Sequence, residues 1–127
     1  MAIFTHVTVG TNDLAKARQF YDAVLAPLGL KRLRDMGDHG SAWGETIEEF
    51  MVLIPADGKP ASPANGGTVS FEAPSRAAVA AFHQAALRLG GKDEGAVGPR
   101  RFFPHAYAGY VRDRDGNKLA CYCRKPE

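Results

Sequence analysis

The chain repeats itself. Sliding it so that Thr68 falls on His6 also places Val69 on Val7, Ala77 on Ala15, Phe82 on Phe20, Ala85 on Ala23, Leu87 on Leu25 and Gly91 on Gly29. Each matched stretch carries a β-branched run, a polar cap, an amphipathic run and a glycine stop in the same order. Such a duplication constrains the fold strongly, because one short unit cannot bury its apolar surface alone and must pack against its copy. The reading is α+β, with two tandem βαβββ modules. Module 1 takes residues 1–54, a linker 55–66 and module 2 residues 67–127, all within one domain of 127 residues.

Local signals fill in the modules. Ile3 to Val9 reads as a strand. Asn12 and Asp13 offer an N-cap for a helix whose apolar face is Leu14, Ala17, Tyr21, Val24, Leu25 and Leu28, stopped by Gly29. Strands are expected at Leu30 to Met36, Ser41 to Glu45 and Glu48 to Ile54. The run PADGKPASPANGG has no apolar periodicity and joins the halves. In the second half Thr68 to Ala73 reads as a strand, and Ser75 caps a helix with Val79, Phe82, Ala86 and Leu89 on its apolar face. Gly90-Gly91 ends it. Gly95 to Pro104 reads as a loop, and Ala106 to Arg112 and Lys118 to Cys123 as strands joined by the DRDGN turn. Phe20 and Tyr21 are expected to pack inside, and His83 to lie on the helix surface.

Composition narrows the classes of function. With 45% hydrophobic residues the chain is globular rather than disordered, and no apolar run approaches the roughly 20 residues of a membrane-spanning helix. A formal charge of +2 gives no broad basic field for nucleic acid. The opening MAIFTH shows neither a basic nor an apolar leader region, so a cytoplasmic protein is expected. Cys121 and Cys123 stand one residue apart, too close for a relaxed bridge along a strand, and read as reduced, buried thiols. They lack the second Cys pair that a structural zinc site needs.

Each helix covers one sheet face, and the free faces of two modules can curl into a cup around a shared cavity. Alternation assigns the cup side. It takes His6 in the first strand, Thr68, Ser70 and Glu72 in the first strand of module 2, and Ala120 and Tyr122 in the last strand. Trp43, Phe102, Phe103, Tyr107 and Tyr110 supply aromatic surface near it, and Arg100-Arg101 a pair of cations that suit a ligand carboxylate or phosphate. No glycine-rich phosphate cradle and no nucleophile elbow is visible.

The segments HVTVGTNDLAKARQFYDAVLAPLGL, GGTVSFEAPSRAAVAAFHQAALRLGG and YVRDRDGNKLACY resemble the vicinal oxygen chelate superfamily of glyoxalase I, bleomycin and fosfomycin resistance proteins and extradiol dioxygenases. The resemblance implies a glyoxalase-like fold, commonly dimeric, with a divalent metal held by His in the first strand of each module and Glu in the last strand. His6 matches the first of these, but Thr68 and Ala120 occupy the other two positions. A lone imidazole does not hold a divalent ion at cellular concentrations, so the expectation is no metal or a weakly bound one. A relocated set of His6, Glu72 and His105 is the remaining way to build a centre.

Two functions follow as expectations. One is a lyase or isomerase acting on a small oxygenated metabolite, with His6 or Glu72 as base, Arg101 or Tyr107 holding the oxyanion, and Trp43, Thr68, Phe103, Ala120 and Tyr122 lining the site. The other is a non-catalytic small-molecule binding protein of the bleomycin-resistance type. A homodimer is implied by the resemblance; nucleic acid and membrane are not expected partners. An iron oxygenase would need the same missing ligands.

Overall fold

The computed structural model describes residues 2–127. Met1, counted above in module 1, lies outside them. Module 1 runs β1 (Val7–Gly10), α1 (Leu14–Leu25), β2 (Lys31–Asp35), β3 (Gly40–Gly44) and β4 (Phe50–Leu53). Module 2 runs β5 (Val69–Glu72), α2 (Arg76–Arg88), β6 (Lys92–Pro99), β7 (Tyr107–Arg112) and β8 (Lys118–Cys123). The sheets have the same order, β1-β4-β3-β2 and β5-β8-β7-β6, with the first and last strands of each module parallel. The duplicated βαβββ organisation is therefore present.

Both helices start on side-chain caps. The Asp13 carboxylate accepts from the Lys16 amide at 3.1 Å, and the Ser75 hydroxyl from the Ala78 amide at 3.1 Å. The helix α1 buries Ala17, Phe20, Tyr21, Val24 and Leu25, a stripe at i, i+3, i+4, i+7 and i+8. Pro27 then enters a single 3-10 turn, Ala26–Leu28, and Gly29 at φ +80° ends it in the left-handed region that a side chain would strain. The helix α2 buries Val79, Phe82 and Ala86 as expected, and also His83.

One core serves both modules. The helices pack on each other, and Phe71 of β5 meets Phe50 of β4 at 5.1 Å and Phe82 of α2 at 6.0 Å between ring centroids. Burying one such ring contributes about 1.5–3 kcal/mol. A polar clasp reinforces the junction. The Asp113 carboxylate, in the turn between β7 and β8, accepts from the Tyr21 hydroxyl, the amides of Asp115 and Asn117, and the Asn117 side chain. Asn117 also donates to the Gly10 carbonyl at 3.0 Å, and the Asn12 amide to Asp115 at 2.8 Å. The linker is held as well: Asn12 and Ala61 exchange two hydrogen bonds of 3.0 and 2.7 Å.

Several expected elements differ. The first strand starts at Val7 rather than Ile3, because its partner β4 begins at Phe50, opposite Val7; Ile3, Phe4 and Thr5 have no strand to pair with. The stretch read as a loop from Gly95 contains most of β6. Its pairing to β7 shifts register between Asp93 and Gly95 and again between Gly95 and Gly98, so it shows no regular alternation. His83 is buried rather than on the helix surface. It sits over Gly109, whose missing side chain leaves room for the ring, and hydrogen-bonds the Asp93 carboxylate at 3.1 Å.

Candidate functional site

Register decides which side chains face away from the helices in module 2. In β8, Leu119, Cys121 and Cys123 enter the core, so Lys118, Ala120 and Tyr122 turn to the free face. Tyr110 lies directly opposite Ala120 and joins them, while Thr68, Ser70 and Glu72 come from the β5 side. Together with Phe71, Phe103 and Arg124 these residues, Lys118 apart, line a cavity of about 400 Å³. The face expected from alternation for Thr68, Glu72, Ala120 and Tyr122 is the one they occupy, and Phe103 reaches it from the loop before β7.

The polar centre of this cavity is a pair of phenols. The Tyr110 and Tyr122 hydroxyls hydrogen-bond to each other, with rings edge to face at 5.9 Å. Phe103 stands edge-on to Tyr122 at 6.1 Å and forms an apolar wall. Burial first, and then the Tyr110 hydroxyl, push the Tyr122 phenol up to about 12, so it keeps its proton at neutral pH. On the rim, Glu72 accepts from Arg124 at 2.9 Å, with side chains 76% and 55% exposed. That exposure makes the pair a weak, screened contact.

Other expected site residues lie elsewhere. His6 precedes β1, is exposed and hydrogen-bonds Thr5 at 3.1 Å; it lines none of the described cavities. The inward direction expected for it depended on a strand that begins one residue later. Trp43 is fully buried on the helix side of β3, its indole N–H donating to Asp22 at 2.9 Å, and it backs a second cleft of about 750 Å³ between the modules, which shares Ser70, Phe71, Glu72 and Arg124 with the first cavity. Tyr107 has the opposite register to Tyr110 and packs under the Arg76 guanidinium at 4.9 Å. Arg101 and Phe102 are exposed and outside the cavity. Arg100 is not a free arm: it donates to the carbonyls of Ala96, Gly98 and Pro99.

Sequence reasoning singled out neither Lys118 nor Arg124 for this face. The alternation that placed Ala120 and Tyr122 would have found both, since 118, 120, 122 and 124 step by two.

The donor set does not fit the metal that the resemblance implies. Thr68 and Ala120 bring a hydroxyl and a methyl to the cavity where imidazole and carboxylate would be needed. Among the described residues no three His, Cys, Asp or Glu side chains converge, so His6, Glu72 and His105 form no alternative centre. His105 sits in an exposed turn at φ +61°.

An eight-stranded, two-module fold with a cavity on the free sheet face defines a glyoxalase-like protein. The chain belongs to the Glyoxalase/Bleomycin resistance protein/Dioxygenase superfamily, whose family model matches residues 3–121. It is 35% identical to a glyoxalase/bleomycin resistance protein from Albidiferax ferrireducens T118, covering 98% of this chain and 100% of that one with a TM-score of 0.88. It shares its fold with lactoylglutathione lyase from Agrobacterium tumefaciens at 20% identity, 97% and 94% coverage and a TM-score of 0.63. The fosfomycin resistance protein FosX from Mesorhizobium loti aligns at 13% identity, 98% and 94% coverage and a TM-score of 0.69. No curated protein sequence matches the chain. Among the described residues no helix is long and apolar enough to cross a membrane.

Proposed function

We propose that this protein binds a small oxygenated molecule in the module 2 cavity without a metal, as a binding member of its superfamily. The observation that carries the reading is the lining itself. Where relatives of this type would be expected to place metal ligands, this chain presents Thr68 and Ala120 beside a phenol pair and a Phe103 wall. Phenol hydroxyls and a ring edge recognise oxygen atoms on a planar body; they do not activate a metal-bound oxygen.

Metal analysis of untagged protein, joined to native mass spectrometry, tests this. The reading predicts no stoichiometric nickel, zinc or iron, a melting temperature unmoved by chelator, and a small organic molecule retained or a melting temperature raised by one. Stoichiometric metal that is lost on His6→Ala substitution would overturn it.

A second reading rests on Glu72, whose carboxylate borders the cavity within reach of Arg124. As a general base it would abstract a proton next to a ligand carbonyl, making the protein a metal-independent lyase or isomerase. Glu72→Gln would then abolish turnover of a bound ligand while leaving its affinity in place.

The cavity is lined only by module 2, which leaves its outer side open. We assign the missing wall to a second copy in a homodimer. Phe103 at the cavity, and Ile3, Phe4 and Ile47 elsewhere, are large apolar side chains left exposed. Sedimentation as a monomer at micromolar concentration would remove that assignment. Free, buried Cys121 and Cys123 agree with a reducing, cytoplasmic setting.

A further inference from the structure

Two cations stand against the Tyr110 ring, one of the cavity's walls, without a carboxylate paired to them. The Arg100 guanidinium lies 5.6 Å from the Tyr110 ring centroid and the Lys118 ammonium 5.4 Å from it. Neither has a carboxylate within ion-pair distance among the described residues. The nearby acids are engaged by other cations: Glu72 by Arg124 and Glu94 by Arg112. Arg100 is also fixed in place, its guanidinium held by the carbonyls of Ala96, at 2.7 Å, Gly98, at 2.9 Å, and Pro99, at 3.2 Å. Carbonyl dipoles satisfy its hydrogen-bonding but leave its net charge in place.

Both cations lie against the Tyr110 ring, whose hydroxyl is hydrogen-bonded to that of Tyr122. When one hydroxyl donates to the other, the acceptor's own O–H remains free to donate outward. A neutral donor pair beside unpaired positive charge favours an acceptor with full negative charge, since hydrogen bonds to charged groups are the stronger kind. A cationic ligand would be repelled by the charge of Arg100 and Lys118 at the Tyr110 wall, with no unpaired carboxylate in the lining to offset it.

We propose that the Tyr110–Tyr122 wall is an anion subsite and that the ligand is a small organic acid, its carboxylate at the two hydroxyls and its planar body against Phe103. This deepens the binding reading above and rests on it. The ligand class is set by residues outside the positions at which the superfamily resemblance placed metal ligands.

Calorimetric titration of the full chain at neutral pH with benzoate, benzamide and benzylamine tests the idea. These probes share a ring and differ in charge. The expected result is benzoate bound about tenfold more tightly than benzamide, with benzylamine the weakest, and weaker benzoate binding as salt is raised. Tyr122→Phe should cost benzoate about tenfold. Lys118→Gln should narrow the benzoate-to-benzamide ratio severalfold without changing the melting temperature, an effect a merely structural lysine would not have. Benzamide or benzylamine binding as tightly as benzoate overturns the anion subsite and leaves small-molecule binding intact. No binding of any probe up to about 10 mM, where even a millimolar complex would register, overturns the binding reading and the subsite with it.

Discussion

The Tyr21 hydroxyl offers a direct probe of how the two modules are joined. It donates to Asp113, a buried carboxylate in the opposite module whose acidity burial weakens. Tyr21→Phe removes that donor and nothing else. The ring keeps its neighbours Phe50 at 4.9 Å, Phe20 at 5.0 Å and Trp43 at 5.7 Å, so no cavity opens. Asp113 retains the amides of Asp115 and Asn117 and the Asn117 side chain, which limits the loss to one hydrogen bond on a charged acceptor. The expected cost is about 1.5–3 kcal/mol. For a domain of this size that lowers the melting temperature by about 5–10 °C. Differential scanning calorimetry should also show a single transition in both proteins, because Phe50, Phe71 and Phe82 make one core of two modules. A loss below about 0.5 kcal/mol would show the clasp to be solvated and without consequence. Two resolved transitions would refute the shared core.

Other outcomes follow from single sites. The Ser41 hydroxyl holds Asp35 below the usual carboxylate range, the Gly95 amide does the same for Asp93, and the Arg112 side chain for Glu94. Their stabilising contribution is present above the unfolded value near 4 and is lost as pH falls through the lower folded values, whereas Asp113, raised by burial, contributes fully below about 4 and less as pH rises through its folded value. Melting temperature against pH should therefore fall on the acid side, and Asp35→Asn should make that fall shallower; an unchanged slope would contradict the assignment. Gly91→Ala sets a methyl 2.7 Å from the Arg112 carbonyl and 2.8 Å from that of Ala86, and should cost about 3 kcal/mol in urea denaturation. Gly29→Ala meets nothing within 4 Å and should cost only the left-handed strain, about 1–2 kcal/mol. Burial pushes the Cys121 thiol up to about 12, so maleimide should label Cys121 only after denaturation, with mass spectrometry as the readout.

The repeat was legible because it is written in caps, stripes and stops. Asp13, Ser75 and the DRDGN turn do what their chemistry predicts, and β8 spans the residues read for it, 118–123. The alternation in β5 and β8 gave the cavity face correctly, because both strands are regular. What escaped has a local cause in each case. The strand β6 is bulged around Gly95 and Gly98, which removes the period that marks a strand. His6 was assigned a direction from a pattern that continues upstream of the partner strand's first residue. His83 owes its burial to Gly109, a residue distant in sequence, and Arg100 owes its fixed position to three carbonyls of its own segment. Pairing partners and long-range vacancies of this kind leave no local signature.

The central claim is that ligand recognition belongs to the free face of module 2 and proceeds without His6 or a metal. Amide chemical-shift mapping of isotopically labelled protein titrated with benzoate, in the presence of chelator, addresses it most directly. The account predicts shifts concentrated at Thr68, Ser70, Glu72, Phe103, Tyr110, Ala120 and Tyr122. Shifts centred on Thr5 and His6, or on Trp43 and Glu49 at the module 1 side of the cleft between the modules, or a response that appears only when a divalent ion replaces the chelator, would contradict it.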